Sequence, residues 1–112
     1  ISDAMSQTGT DITEFSLNGR TITRSNGALR LADGTLAGAD LDMIDAVSFM
    51  HRQIGVPFEH ALRMASLYPA EALGVADTYG HLSPGAVASF VHLSDDHAVR
   101  ATWIAGCQVW RA

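Results

Sequence analysis

Cysteine is almost missing from this chain. Cys107 is the single one in 112 residues, which excludes an internal disulfide. A lone thiol fits a reducing cytosol, so the expected localisation is cytoplasmic. Charge is scarce too, at 17% of residues, which is low for a small free-standing domain. That scarcity points to surface that packs against further protein. Seven basic residues face twelve acidic ones, for a net charge of −5, and no basic run or aromatic-basic face appears. Nucleic acid is therefore not an expected partner. No apolar run is long enough to span a bilayer, so no membrane is expected either. The five histidines, His51, His60, His81, His92 and His97, lack ligand spacing: there is no His-x-His and no His-Glu-x-x-His. Each is read as a structural residue, on the surface or partly buried, and none as a metal ligand.

What is present suits a folded protein. Apolar residues make up 47% of the chain, which argues against disorder. A chain of this size can bury about two-thirds of its unfolded surface. The expected class is an α+β fragment with a β-meander, two to three helices and a C-terminal β-hairpin. Residues 1–13 read as a strand end and loop, 14–39 as the meander and a following loop, 40–74 as helical, and 75–112 as further strands.

The meander is marked by its turns. Phe15 and Leu17 alternate with Glu14 and Ser16, and Asn18-Gly19 then offers two residues that tolerate positive φ. Arg20 to Arg24 is the return strand, Asn26-Gly27 the second turn, and Ala28 to Leu31 the third strand. Asp33-Gly34 closes the run. Asp40 is the expected cap of a helix over Leu41 to Ile54, with Met43, Val47, Met50 and Ile54 on its buried stripe. Gly55 stops that helix, and Pro57 suits the first turn of the next. Phe58, Ala61, Leu62 and Ala65 form the second buried stripe, and Pro69 to Leu73 a third, short helix. Pro84-Gly85 is a turn, Phe90 to Leu93 a strand core, and Ala105-Gly106 joins Val99–Ile104 to Cys107–Trp110.

Few residues carry obvious chemistry. Asp3 is a carboxylate in a short polar segment, and such a group can take and return a proton. Leu36-Ala37-Gly38 is a run of small residues that lets a backbone approach a ligand, or simply reaches a helix. Cys107 is read as a packed thiol, because no histidine partner is evident.

The chain resembles the N-acetylglucosamine-6-phosphate deacetylases of the amidohydrolase superfamily over about residues 1 to 110. The resemblance lies in Ser2-Asp3-Ala4, the Asp33 to Leu41 run, and the tract Ala61 to Ala70 with Met64-Ala-Ser-Leu-Tyr-Pro69 inside it. Gly80 to Val91 resembles the C-terminal β-sandwich of many amidohydrolases, with Ser89 where the common pattern has Asp. The resemblance implies that this is the C-terminal segment of a parent enzyme, a TIM-like barrel with a small β-sandwich. Such a barrel needs roughly 250 residues. It implies a divalent metal, zinc or iron, whose ligands lie outside this chain. It implies Asp3 as the catalytic acid/base, matched in type and in its spacing to Phe15, Gly19, Gly27 and Gly34. Leu36, Ala37 and Gly38 become substrate-binding candidates for an amino-sugar phosphate. The remainder of the barrel is the expected partner, and the parent is expected to be a homo-oligomer. The isolated segment is expected to be inactive. Two other readings remain open: another amidohydrolase, such as a cyclic amidase or deaminase, and a non-catalytic α+β interaction module.

Overall fold

The computed structural model describes residues 1–112. The chain divides into two units, Ile1–Ala46 and Val47–Ala112.

The first unit is a four-stranded antiparallel meander: β1 (Glu14–Leu17), β2 (Arg20–Ser25), β3 (Ala28–Leu31) and β4 (Leu36–Ala39), in that order. Its hairpin turns are the expected ones. Asn18 and Gly19 have φ of 52° and 72°, and Asn26 and Gly27 have 51° and 73°. Two successive left-handed residues match the twist of the strands they join. The Asp33-Gly34 turn is closed by the Gly34 N–H donating to Leu31 O at 2.9 Å. The Thr35 N–H donates to Asp33 Oδ1 at 2.9 Å. Those Thr35 bonds favour the charged form and hold the Asp33 carboxyl below the usual carboxylate range. Ile22 and Leu29 are the buried apolar side chains of this unit.

Two expectations here are corrected. Leu36 to Gly38 is not a loop; with Ala39 it forms β4, paired to β3 through Ala28↔Ala39, Leu29↔Gly38 and Arg30↔Leu36. Small residues with low strand propensity gave no sign of it, because the strand exists through that pairing. Asp40 does not cap a helix. Its carboxylate pairs with Arg24 of β2, and α1 (Met43–Arg52) starts later, with Asp42 O accepting from the Ala46 N–H at 3.1 Å.

Helix α1 begins in the first unit and ends in the second. Gly55, at φ 81°, terminates it, with the Val56 N–H donating back to Met50 O at 3.0 Å. Of its expected stripe only Val47 is buried; Met43 and Ile54 are exposed and Met50 is half-buried. Helix α2 (Phe58–Ala65) follows, with Pro57 just before it, and α3 (Leu67–Ala72) begins two residues earlier than expected. Its buried position is Ala70, and Ala61 is that of α2.

The C-terminal part is a three-stranded antiparallel sheet: β5 (Phe90–Leu93), β6 (Val99–Ile104) and β7 (Cys107–Arg111), ordered β5-β6-β7. Phe90 and Trp103 face each other across the first pair and stack at 4.7 Å. Such aromatic pairs stabilise a sheet beyond their buried area. Ala101 of β6 is buried, opposite His92, whereas all of β7 is exposed. Cys107 is therefore an exposed thiol, not a packed one. Its strand is the sheet edge, where side chains on both faces stay open. Ser89, by contrast, has a clear structural use: its Oγ accepts from the Ala105 N–H at 3.0 Å.

Ala105 sits at φ 49°, left-handed, in the β6–β7 turn. An alanine there carries a steric cost of about 1–2 kcal/mol that asparagine relieves in part. Ala105→Asn should raise the melting temperature of the complete protein by a few degrees, as thermal denaturation would read. A lowered value would contradict this turn geometry.

Candidate functional site

The Asp3 segment and the Leu36–Gly38 run are distant in sequence, and the structure brings them together. The Ala39 N–H donates to Asp3 O at 2.9 Å, and Ala4 forms a parallel bridge with Ala39. Asp3 has φ 55°, a left-handed conformation that aspartate tolerates better than most residues. The Ala4 N–H donates to Ser2 Oγ at 3.3 Å, which tightens the same turn. The Asp3 side chain is exposed and its carboxylate makes no hydrogen bond or ion pair. A carboxylate placed so, with its backbone fastened and its oxygens free, can accept a proton from a reacting group.

Gly38 explains how the two segments come so close. A Cβ at this buried position would stand 2.9 Å from Asp3 O, 2.9 Å from Met5 Sδ and 3.0 Å from Met5 Cγ. The close approach that glycine allows here is therefore to the chain's own Asp3–Met5 segment. Ala37 is the extra residue of a β-bulge, since the β3–β4 register shifts between Leu29 and Arg30. Bulges bend an edge and re-aim its side chains. Leu36 is 61% exposed at the start of the strand, an apolar side chain left open beside that bend.

The rest of the Asp3 loop is packed more deeply than its sequence suggests. Gln7 is fully buried, and its Oε1 has no hydrogen-bond partner. Its Nε2 reaches Ala39 O only at 3.5 Å. Other contacts hold the loop in place. Gln7 O accepts from the Thr10 N–H at 3.0 Å and from Thr10 Oγ1 at 2.7 Å. Arg24 then closes the arrangement. Its Nη1 donates to Thr10 O at 2.6 Å and its Nε to Asp40 Oδ2 at 2.7 Å. The Asp40 hydrogen bond and charge raise the Arg24 pKa further above its ordinary value, aided by Asp11 and Asp42. Thr10, Asp11, Arg24, Asp40, Asp42 and Asp45 line an open cavity of about 190 Å³. Met5, Gln7 and Arg24 were not evident from the sequence. Arg24 looks like any outward residue of an alternating strand, and its partners lie 14 and 16 residues away.

No group of three His, Cys, Asp or Glu side chains is placed to hold a metal ion, so the residues of this chain do not by themselves fit a metal site. His51 and His97 lie beside one another, with ring centroids 5.8 Å apart, and several histidines are structurally engaged. His51 Nδ1 lies 2.9 Å from Val56 O, and His81 Nε2 donates to Ala76 O at 2.8 Å. His97 stacks on Phe58 at 3.9 Å. No helix is long and apolar enough to cross a membrane.

The amidohydrolase family profile matches residues 6–109, and the chain belongs to that family. Within it, the chain is 37% identical over 112 residues to an N-acetylglucosamine-6-phosphate deacetylase of Vibrio furnissii, covering 100% of this chain and 28% of the relative. It is equally 37% identical over 112 residues to an N-acetylgalactosamine-6-phosphate deacetylase of Shewanella sp. (strain ANA-3), with 28% of that relative covered. The crystal structure of N-acetylglucosamine-6-phosphate deacetylase from Pasteurella multocida superimposes with a TM-score of 0.85 at 33% identity, over 95% of this chain and 28% of that one. The chain thus spans little more than a quarter of the length of these relatives.

Gly38→Ala places a methyl group in contact with backbone at Asp3, which cannot move aside cheaply. The expected result is a loss of about 1–3 kcal/mol of stability, seen as a lower denaturation midpoint of the complete protein. An unchanged midpoint would mean that the Asp3–Met5 segment is free to lift away from β4.

Proposed function

We propose that this chain is the C-terminal part of a metal-dependent deacetylase acting on N-acetylglucosamine 6-phosphate. The observation that carries the reading is the Asp3 turn, fastened to β4 with its carboxylate free. Support also comes from the likeness to deacetylases of amino-sugar phosphates along nearly the whole chain. The parent is a TIM-like barrel with a small β-sandwich, to which β5–β7 contribute, and it works as a cytoplasmic homo-oligomer. The metal, zinc or iron, takes its ligands from outside this chain.

In this reading Asp3 is the acid/base. Its carboxylate takes a proton from the attacking water as the new C–O bond forms at the acetyl carbon. It returns that proton to the amide nitrogen as the C–N bond breaks. The water's second proton passes from the new acetic acid to the amine, acetate and glucosamine 6-phosphate leave, and Asp3 is again ionised. Leu36, Ala37 and Gly38 are the substrate contacts, through the exposed Leu36 side chain and the backbone at the bulge. Asp3→Asn keeps the shape of the side chain but removes the proton acceptor. Turnover by the complete enzyme should fall about 10²–10⁴-fold, while calorimetry should show substrate still bound. A near-normal kcat in that variant would remove Asp3 from this role.

A second reading concerns the sugar. Identity to a galactosamine-type relative is equal to that for the glucosamine-type one, so similarity supports the C4 epimer no less than N-acetylglucosamine 6-phosphate. Comparing kcat/KM for the two N-acetylated hexosamine 6-phosphates separates the readings. The cyclic amidase and the non-catalytic module would each show neither activity. The purified 112-residue chain alone should turn over neither sugar, because it carries no metal site of its own.

A further inference from the structure

The loop from Asp3 to Thr10 is fastened at its start by Ala39 and at its end by Arg24, which pairs with Asp40, the residue next to Ala39. At its start, Asp3 O accepts from the Ala39 N–H at 2.9 Å. At its end, Thr10 O accepts from Arg24 Nη1 at 2.6 Å, and Arg24 Nε donates to Asp40 Oδ2 at 2.7 Å. Between them, Gln7 is fully buried, with its amide nitrogen 3.5 Å from Ala39 O and its amide oxygen without a partner. From this geometry we infer that Arg24, braced by Asp40, is a positioning residue for the catalytic turn: it sets where Asp3 stands by holding the far end of its loop. The inference rests on the role proposed above for Asp3.

The physical argument is one of fixed lengths. Arg24 lies in β2, and its own N–H donates to Thr13 O at 2.8 Å. Thr10 and Thr13 are therefore both tied to one strand residue, from its side chain and from its backbone. The planar guanidinium has donors in a rigid fork, so it can serve a carbonyl and a carboxylate together without rotating. Its side chain is 31% exposed and that of Asp40 18%, which shields the pair partly from water and salt. Lysine offers charge without the fork. Asp40 follows directly on β4, so the same few residues hold the candidate substrate strand and both loop ends.

The test uses the complete enzyme. Arg24→Ala should lower kcat per folded molecule roughly 10- to 100-fold, the range expected when a reacting group is misplaced by about an ångström. KM should change less than kcat, because Arg24 reaches the strand proposed to bind substrate only through Asp40, which follows it. Arg24→Lys should fall between wild type and Arg24→Ala, and Asp40→Ala should add little on top of Arg24→Ala. Hydrogen exchange of the Thr8, Thr10 and Ala39 amides should quicken in Arg24→Ala while β1–β3 stays protected. Unchanged kcat per folded molecule, a rise in KM alone, or unaltered exchange at those three amides would each overturn the inference. If wild-type enzyme deacetylates neither sugar phosphate, the functional reading fails instead, and exchange alone then decides whether Arg24 holds the loop.

Discussion

The pair of residues Ala39 and Asp40 is the hinge on which the first unit is organised. One offers a peptide N–H to Asp3 and the other a carboxylate to Arg24, which passes the hold on to Thr10. The remaining oddities of this region follow. Gly38 must lack a side chain because Asp3 O and Met5 occupy that space. Asp3 takes a left-handed conformation because its carbonyl must meet the edge of β4. Gln7 is carried inside despite an oxygen left without a partner. Strained or unsatisfied positions gather where surrounding contacts over-determine the backbone, and these gather around a single carboxylate.

Local chemistry made much of this fold legible. Asn18-Gly19 and Asn26-Gly27 announce their turns because two adjacent residues there readily adopt positive φ. Gly55 announces a helix end for the same reason. What sequence could not announce were arrangements that depend on a distant partner. Leu36–Ala39 is a strand because β3 lies beside it, not because glycine and alanine favour one. Asp40 serves Arg24 rather than a helix because β2 presents that guanidinium within reach. The Asp3 position could be singled out only by likeness to known enzymes. Nothing in Ser2-Asp3-Ala4 itself tells a reactive carboxylate from a solvated one.

The second unit poses a different physical question. Val47, Ala61, Ala70 and Ala101 are its buried apolar residues, and three of the four are alanines. Burial of a methyl group contributes far less than that of a leucine or phenylalanine side chain. Meanwhile Phe49, Leu73, Leu82 and Ile104 are all more than half exposed. Its helices and strands are specified by good local signals, yet many of their large apolar side chains remain exposed. Such a surface draws much of its stability from whatever it is packed against, in keeping with a chain that spans about 28% of the relatives it matches.

The open β7 edge has a consequence for how this polypeptide behaves when handled. A three-stranded sheet ending in a fully exposed strand, with Val109 and Trp110 on it, has a vacant place for one more strand. Unpaired peptide groups do not discriminate between donors, and every other copy of the chain carries a suitable strand. Lysine, a residue that often guards such edges, is absent from the whole sequence; here only Arg111 supplies a charge. The chain is therefore liable to pair with its own kind through β7, and loss of solubility would report an unguarded edge before it reported any failure of local folding.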